Sequence, residues 1–440
     1  MSNAVLNKSV PRYTSYPTAV QFTDKVTERD YIEGLYNLEY QEPISLYVHI
    51  PFCQQMCWYC ACHTQITKRQ DLISKYVRAI VQEIQLVAER AGPGIIVNHL
   101  HFGGGTPNAV SPDQMQQMMR VIRGSFTLAE DAEIAIELDP RTLTDEMLDC
   151  LKDEGFNRIS LGIQDFDPEV QEAIHRVQPY DDVAEVLRKM RDRGFEDISF
   201  DLIYGLPKQN TDKMQETLER VKNLSPSRVS VFGYAHVPWM KSHQKMIKKS
   251  PLPAMNERRD MCMQISDYLK DTGYQQIGID HFAKKDDDMA VTYRNKELHR
   301  NFQGYTTDKA KNLIGIGSSS IGRINNIYVQ NTTDIAEYQR AVQDGRLPIH
   351  RGVSLTKEDI RRASIIQDIM CYFSADIPQD ILDDVKDALG FYIQEGIASV
   401  DDAGHLEILQ GDQAAIYARL VAACFDQYLK DNNTRHAKAV

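Results

Sequence analysis

The chain has 440 residues, of which 42% are hydrophobic, so it is long enough to form one large domain and a smaller one around sizeable cores. Its net charge of −12 argues against a general nucleic-acid-binding surface, because such a surface needs a basic face that displaces counterions. No run of eighteen apolar residues occurs, and the first ten residues lack the basic-then-apolar pattern of a signal peptide. We therefore expect a monomeric cytoplasmic protein that binds neither nucleic acid nor membrane.

Six β-rich runs recur along the first half of the chain, and each is followed by a segment of helical period. The runs cover residues 45–51, 97–102, 133–138, 158–163, 197–203 and 228–234. Strands that alternate with helices predict a parallel sheet. We expect an α/β fold, a partial TIM-like (β/α)6 barrel that is open along one side, although the pattern alone also allows an open doubly wound sheet. In a parallel α/β barrel the active site lies at the C-terminal ends of the strands.

The chain divides by its secondary-structure pattern into four predicted parts. We predict an N-terminal arm at 1–37, a partial-barrel domain at 38–272, a connecting region at 273–354 that completes the active site, and a mainly helical C-terminal domain at 355–440. The last part includes a predicted hairpin around the turn DDAG at 401–404. Helices with one hairpin resemble a winged-helix outline, but the many acidic residues favour a packing or lid domain over DNA binding.

Four of the eight cysteines lie within ten positions, in the run HIPFCQQMCWYCAC. Cys53, Cys57 and Cys60 are separated by three and then two residues, directly after a predicted strand. Thiolates suit iron–sulfur clusters, so we predict that these three bind a 4Fe–4S cluster with one iron left open. The alternatives are a zinc site that also uses Cys62, which would have cramped geometry, or plain buried cysteines. The remaining cysteines are predicted to be buried, inert thiols: Cys150, Cys262, Cys371 and Cys424.

A series of longer motifs runs from about Pro11 to Leu355. They are PRYTSYPTA, YVHIPFCQQMCWYCAC, HFGGGTP, IELDPR, GIQDF, DLIYGLPKQ, YAH, DHFA and LHRNFQGYTT. Together they resemble the oxygen-independent coproporphyrinogen III oxidases, a family of radical S-adenosylmethionine (SAM) enzymes. Haem chaperones of the same superfamily share the HIP motif and the three cysteines but generally lack Cys62 and the PRYTSYP arm. These two features favour the oxidase, and a haem chaperone or a radical SAM enzyme that acts on haem is the alternative.

The resemblance implies a 4Fe–4S cluster and SAM as cofactors, with two SAM molecules bound. Reductive cleavage of SAM would give a 5′-deoxyadenosyl radical, which takes a hydrogen from the β-carbon of a propionate side chain. Loss of carbon dioxide and one electron then leaves a vinyl group, and two such rounds convert coproporphyrinogen III into protoporphyrinogen IX in haem biosynthesis. The implied partners are the tetrapyrrole, an electron donor and an electron acceptor, and the sequence does not identify the last two.

The resemblance also implies which residues bind SAM. Those implied for the first molecule are Tyr47, Tyr59, Gly104, Gly105, Thr106, Glu137 and Ile321. Those implied for the second are Gln164, Arg176, Asp201 and Ala235. Without the resemblance, the glycines indicate a turn, Tyr59 indicates a packed aromatic ring, and Asp201 indicates a structural salt-bridge partner.

Substrate contacts must come from local groups, because the substrate carries four carboxylates while the protein is acidic. The candidates are Arg12, Cys62, Arg300 and Gln303. Cys62 would close the open iron if it bound the cluster, so we expect it to be a structural thiol or to lie near the substrate. We expect His49 to be a hydrogen-bonded structural histidine. The run GIGSSSIG at 315–322 lacks the spacing of a phosphate loop, so we expect it to have a packing role.

Overall fold

A twelve-stranded sheet runs through the protein, of which the computed structural model describes residues 10–39 and 42–431. The strands of the chain are β1 (Ile44–Ile50), β2 (Phe52–Cys53), β3 (Gln65–Ile66), β4 (Ile96–Gly104), β5 (Thr127–Leu138), β6 (Arg158–Gln164), β7 (Asp197–Tyr204), β8 (Arg228–Gly233), β9 (Tyr274–Ile277), β10 (His281–Lys284), β11 (His299–Asn301), β12 (Gly304–Thr306), β13 (Leu313–Ile316), β14 (Ile321–Ile324), β15 (Ile327–Asn331), β16 (Ile349–Ser354), β17 (Ser374–Asp376), β18 (Ala398–Val400) and β19 (His405–Ile408). The large sheet has the order β16-β15-β14-β13-β1-β4-β5-β6-β7-β8-β10-β9.

Helices follow most of the parallel strands and pack against them. They are α1 (Glu28–Tyr36), α2 (Gln70–Ala91), α3 (Pro112–Ser125), α4 (Asp145–Asp153), α5 (Pro168–Ala173), α6 (Tyr180–Asp192), α7 (Thr211–Leu224), α8 (Met255–Asp271), α9 (Asp288–Arg294), α10 (Ile335–Gln343), α11 (Lys357–Tyr372), α12 (Gln379–Gln394) and α13 (Ala414–Ala422). Within the ranges described, none of them is long and apolar enough to cross a membrane.

The predicted α/β fold is confirmed, and all six predicted strands are present as β1 and β4 to β8. These six strands run parallel, and β13 adds a seventh parallel strand beside β1. The short run LIGI of β13 escaped the sequence pattern because four residues with one glycine carry little strand signal. Within the described residues the two edge strands, β16 and β9, do not pair with each other, so the sheet remains open.

Local sequence sets the helix ends. At the start of α3, the Ser111 hydroxyl accepts a hydrogen bond from the Gln114 backbone N–H at 3.3 Å, and the Gln114 side chain accepts one from the Ser111 N–H at 2.9 Å. This reciprocal pair satisfies two backbone donors that the first turn leaves open. Gly155 and Gly194 follow α4 and α6 with φ of +74° and +76°, a conformation that glycine adopts without steric cost.

Residues 273–354 contribute strands to both ends of the sheet. The pair β9 and β10 extends the sheet antiparallel beyond β8, while β13 to β16 extend it beyond β1. One hydrophobic core therefore spans the barrel strands, their helices and much of this region. The domain boundaries drawn from the sequence remain predictions.

The C-terminal part has its own core of helices and a three-stranded sheet, β17-β19-β18. The predicted hairpin is confirmed, because β18 and β19 pair antiparallel across the turn at 401–404. Val10, Tyr13 and Tyr16 of the N-terminal arm are buried in this C-terminal core. The arm is also held by Arg419, which donates hydrogen bonds to the Pro11 carbonyl at 3.2 Å and to the Val10 carbonyl at 2.7 Å. The arm thus joins the C-terminal part to the face of the barrel.

Candidate active site

One cavity of about 270 Å³ lies at the C-terminal ends of the parallel strands. The predicted cluster ligands Cys53, Cys57 and Cys60 all line it, on the loop that follows β1. Eleven further predicted site residues line the same cavity: Arg12, Tyr59, Cys62, Gly104, Gly105, Thr106, Glu137, Gln164, Arg176, Asp201 and Ala235. Residues from the arm and from β4 to β8 therefore meet the cysteine loop at one place.

Positive groups surround the buried sulfur of Cys57. Arg141 Nη2 and Arg176 Nη1 each lie 3.6 Å from Cys57 Sγ. Both arginines also pair with Asp139, whose carboxylate lies 2.6 Å from Arg141 and 3.3 Å from Arg176. Burial raises the pKa of Asp139, but the charge of Arg176 and the hydrogen bond from Arg141 lower it more, so Asp139 is ionised at neutral pH. Two guanidinium groups balanced by one carboxylate leave a net positive charge to stabilise thiolates.

The other sulfurs have different surroundings. Cys53 Sγ lies 3.3 Å from Thr106 Oγ1, and burial raises the pKa of Cys53 to about 11. The hydrogen bond from Cys62 lowers the pKa of Cys60 to about 7. Cys60 thus ionises more readily than Cys53 or Cys62 before a metal binds.

The cysteine loop is covered by residues 241–244, which no sequence motif singled out. Lys241 Nζ donates to the Cys62 carbonyl at 2.8 Å, and Gln244 Nε2 donates to the Tyr59 carbonyl at 2.9 Å. His243 Nε2 lies 2.7 Å from the Cys60 carbonyl oxygen. These contacts fix the backbone of the loop, and they join residues about 180 positions apart that share no local pattern.

The glycine run after β4 permits a close backbone approach. The Gly105 N–H donates to the Ile50 carbonyl at 2.8 Å, and a Cβ on Gly105 would lie 2.8 Å from the Pro51 carbonyl carbon. Gly104 has φ of +122°, a region that only glycine enters readily. Because these glycines carry no side chain, their backbone N–H and C=O groups line the cavity directly, beside the cysteine loop.

Glu137 at the end of β5 is held as a carboxylate. Its oxygens lie 3.1 Å from His101 Nε2 and 3.4 Å from the Gly104 N–H. Burial raises the pKa of Glu137, but the hydrogen bond from His101 lowers it more, and the net pKa is below its ordinary value. Glu137 can therefore accept hydrogen bonds from a cationic or hydroxyl group in the cavity. His101 was missed from the sequence, although it stands in the motif HFGGGTP.

Asp201 on β7 and Arg176 also line the cavity. Burial raises the pKa of Asp201 to about 6, and Ser160 Oγ donates to its carboxylate at 3.0 Å. Arg176 donates to the Gly162 carbonyl at 2.6 Å, while its buried Nε has no hydrogen-bond partner among the described residues. Gln164 has φ of +68°, which marks a turn at the end of β6. An unpaired guanidinium N–H leaves a donor available to an acceptor in the cavity.

Three of the remaining predicted residues line neighbouring cavities. Tyr47 and Gln303 line a second cavity of about 260 Å³ inside the sheet, which shares Glu137 and Asp201 with the first. Arg300 lines neighbouring cavities and stacks over the Tyr305 ring at 4.4 Å.

Ile321 and His49 line neither of these two cavities. Ile321 packs beside the cluster formed by Phe22, Tyr328 and Leu355. His49 lies 3.0 Å from the Tyr47 hydroxyl and 3.2 Å from the His63 carbonyl, and burial lowers its pKa to about 4. His49 is thus a neutral, hydrogen-bonded histidine.

The donor set fits an iron–sulfur cluster. Three cysteines face one cavity, arginine N–H groups point at one sulfur, and a glycine backbone leaves room beside them. Among the described residues, no three cysteine, histidine or acidic side chains converge as ligands of a single metal ion. Thiolates that hold a 4Fe–4S cluster each bind a different iron, so they need not converge on one point.

Comparisons with known proteins give the same assignment. Residues 47–221 match the model of the radical SAM superfamily. The chain is 44% identical to the oxygen-independent coproporphyrinogen III oxidase of Bradyrhizobium diazoefficiens, over 98% of this chain and 97% of that protein. It is 38% identical to the enzyme of the same name from Escherichia coli, over 96% and 94% of the two chains.

A solved structure resembles the whole fold. The coproporphyrinogen III oxidase HemN from Escherichia coli, described as a radical SAM enzyme, superimposes with a TM-score of 0.90 at 36% identity, covering 96% of this chain and 100% of that one. Membership implies a 4Fe–4S cluster and SAM as cofactors, which the cysteine loop and its cavity fit. The chain belongs to the oxygen-independent coproporphyrinogen III oxidase family of radical SAM enzymes.

Proposed function

We propose that this protein converts coproporphyrinogen III into protoporphyrinogen IX without oxygen, by oxidative decarboxylation of two propionate side chains. The observation that carries the proposal is the single cavity in which three cysteines, the glycine run and the polar ends of β5 to β8 meet. Cys53, Cys57 and Cys60 would hold a 4Fe–4S cluster, which would supply the electron for reductive cleavage of SAM to methionine and a 5′-deoxyadenosyl radical. Each propionate would lose one hydrogen atom from its β-carbon to that radical, then carbon dioxide, and one electron to an external acceptor, which leaves a vinyl group.

The protein's part in this chemistry is to hold and orient the reacting groups. Cys53, Cys57 and Cys60 provide three thiolates, and the guanidinium groups of Arg141 and Arg176 offset negative charge at Cys57. Each hydrogen bond to a charged sulfur contributes on the order of 1 to 3 kcal/mol. We expect that removal of any one of the three thiolates prevents binding of the 4Fe–4S cluster.

We assign SAM to the two sides of the cavity. On one side, the Glu137 carboxylate accepts a hydrogen bond from the SAM amino group, beside the backbone of Gly104 and Gly105. On the other side, a second SAM molecule lies against Gln164, Arg176, Asp201 and Ala235. The unpaired Nε of Arg176 supports this second assignment, because a carboxylate would satisfy it.

The test is an anaerobic assay of reconstituted protein with dithionite, SAM and coproporphyrinogen III. Carbon dioxide, 5′-deoxyadenosine and the tetrapyrrole product are measured together, and we expect two carbon dioxide molecules for each protoporphyrinogen IX. Cys57→Ala should abolish all three, whereas Cys150→Ala, which alters a buried cysteine on α4, should remain active. Formation of 5′-deoxyadenosine without decarboxylation would reject this substrate and point to another tetrapyrrole such as haem.

A further inference from the structure

A small cavity beside the active site is lined by four arginines. It has a volume of about 60 Å³ and lies between the end of β8, helix α8 and helix α13. The arginines are Arg12, Arg258, Arg300 and Arg419. Asp280 is the one carboxylate among the described residues that line it, so the cavity wall carries a large excess of positive charge.

Among the described residues, the contacts of Arg12, Arg258 and Arg300 compensate only part of that charge. The Arg300 side chain is 5% exposed, and its Nη1 lies 3.8 Å from Asp280, whose same oxygen is 2.8 Å from His281 Nδ1. Arg258 donates to the Tyr234 carbonyl at 2.9 Å, and Arg12 donates to the Gly233 carbonyl at 2.9 Å. The partners of Arg12 and Arg258 are thus neutral carbonyl groups, which satisfy an N–H without neutralising its charge.

Three buried N–H groups have no hydrogen-bond partner among the residues described. They are Arg258 Nε, Arg300 Nε and Arg300 Nη1. A buried unpaired donor costs about 1 to 3 kcal/mol, and more when the group is charged. Burial and the neighbouring arginines lower the pKa of Arg419 to about 10 and lower that of Arg258, whereas Tyr305 and Asp280 raise the pKa of Arg300 against its burial. An anion that enters the cavity would remove these costs together.

The shape and position of the cavity limit what that anion is. A volume of about 60 Å³ accommodates a few water-sized groups, which suits a carboxylate but not a whole cofactor. The cavity shares Arg12 and the end of β8, residues 232–235, with the cavity that the cysteine loop lines. A ligand held in the active site could therefore extend one acidic arm into the arginine cavity. Arginine binds carboxylates by paired hydrogen bonds, so the chemistry of the wall matches such an arm.

We propose that the arginine cavity binds one of the two propionate carboxylates that remain in the product. This inference rests on the proposed function, since it takes the tetrapyrrole as the ligand. A carboxylate that is bound by several guanidinium groups is stabilised as an anion in the ground state. Because carbon dioxide is neutral and loses this interaction, such binding raises the barrier to decarboxylation. The arginine cavity is therefore suited to hold a propionate that does not react, and so to position one that does. Arg258 and Arg419 join Arg12 and Arg300 as substrate-positioning residues.

The experiment measures equilibrium binding of porphyrins to the full-length, cluster-loaded protein without reductant, so that no turnover occurs. The probes are coproporphyrin III, its tetramethyl ester, and protoporphyrin IX, which keeps only the two propionates that never react. We expect Arg258→Met and Arg300→Met to weaken binding of both acids by 10-fold or more, which is about 1.4 kcal/mol, and to leave ester binding unchanged. Arg258→Lys should recover part of the loss, and Arg188→Met, on the exposed face of α6, should bind as the wild type does.

A second measurement, thermal unfolding, tests whether the variants remain folded. Without porphyrin, Arg258→Met should melt no lower than the wild type, because it removes a buried charge that has an unpaired Nε and a neutral carbonyl partner. Unchanged acid binding in both methionine variants would overturn the inference, as would a loss confined to coproporphyrin III, since that would place a reacting propionate in the cavity. Weaker SAM binding with unchanged porphyrin binding would also overturn it. If the wild type binds none of the three porphyrins, this inference fails, and the proposed function fails as well only if the decarboxylation assay with coproporphyrinogen III also gives no product.

Discussion

Arg176 Nη1 lies 3.6 Å from Cys57 Sγ, although the two residues are 119 positions apart in the chain. The same guanidinium group pairs with Asp139 and with the Gly162 carbonyl, so its position is fixed from three directions. A Cβ at position 162 would lie 2.9 Å from Gln164 Nε2 and 3.1 Å from Arg176 Nη2, so glycine leaves room for these two side chains. The loop after β6 thereby delivers a positive charge to the cysteine loop after β1.

Replacing Arg176 by Met should make the bound cluster harder to reduce. Loss of a positive charge and of an N–H contact to a ligand sulfur favours the less negative, oxidised state. We expect a fall in reduction potential on the order of 60 mV, the shift that equals a tenfold change for one electron. Redox titration followed by electron paramagnetic resonance checks this. Arg188→Met serves as the surface control, and equal potentials in the two variants would remove the electrostatic role given to Arg176.

Gly105→Ala should damage the site, while Gly124→Ala should not. A Cβ on Gly105 would meet the Pro51 carbonyl carbon at 2.8 Å and the Phe52 carbonyl oxygen at 2.9 Å, and these backbone atoms cannot swing aside. We expect the variant to lose about 2 kcal/mol or more of stability and to take up less iron. Gly124 on α3 has no atom within 4 Å of the same position, so alanine there should stabilise the helix by about 0.5 to 1 kcal/mol. Urea unfolding and iron content per chain measure both effects. Equal stability in the two variants would show that the close approach is not needed.

The sequence predicted the features that depend on nearby residues. The strands of the sheet carry continuous apolar runs, such as ISLYVHI of β1, because both faces are buried in a parallel sheet. The cysteine loop was recognisable because its spacing places three thiolates on one short loop. The hairpin at 401–404 was recognisable because the turn and its flanking apolar residues lie side by side in the chain.

Residues that act across long separations could not be predicted. Arg258 and Arg419 lie on helices α8 and α13, where the sequence pattern does not distinguish a single arginine from an ordinary surface residue. Only the fold brings them to the end of β8, beside Arg12 of the arm. His243 likewise reaches the Cys60 carbonyl from a segment with no strand or helix signal of its own. Sequence spacing cannot reveal such contacts, because they depend on how the sheet edges and the C-terminal core pack.

Glu83 should make part of the stability depend on pH. This buried carboxyl on α2 accepts hydrogen bonds from the Tyr338 hydroxyl at 2.6 Å, from Asn331 Nδ2 at 2.7 Å and from the Gly317 N–H at 2.7 Å. It thereby holds the glycine-serine run that follows β13. Burial raises its pKa from 4.5 to about 7, so the folded state binds the proton more tightly than the unfolded state.

The sign follows from that difference in proton binding. The contribution is fully present below about pH 4.5 and is lost as the pH rises through about 7, by up to about 3 kcal/mol. Chemical unfolding of the wild type and of Glu83→Gln between pH 5 and pH 8 isolates the effect, since glutamine does not titrate. We expect the stability of the wild type relative to the variant to fall across this range. A difference that stays constant with pH would contradict the raised pKa.

Cys62→Ala should separate the fourth cysteine of the loop from the three cluster ligands. Cys62 is exposed while Cys57 is buried, and its hydrogen bond lowers the pKa of the neighbouring Cys60. We therefore expect Cys62→Ala to keep a full cluster by iron content and absorption spectrum, whereas Cys60→Ala should lose it. In the metal-free protein, the same Cys62→Ala variant should react more slowly with iodoacetamide at pH 7, because fewer Cys60 thiols are ionised. Loss of the cluster in Cys62→Ala would instead show that Cys62 is a ligand. One of the other three cysteines would then have to leave its iron unligated, so that SAM could bind there.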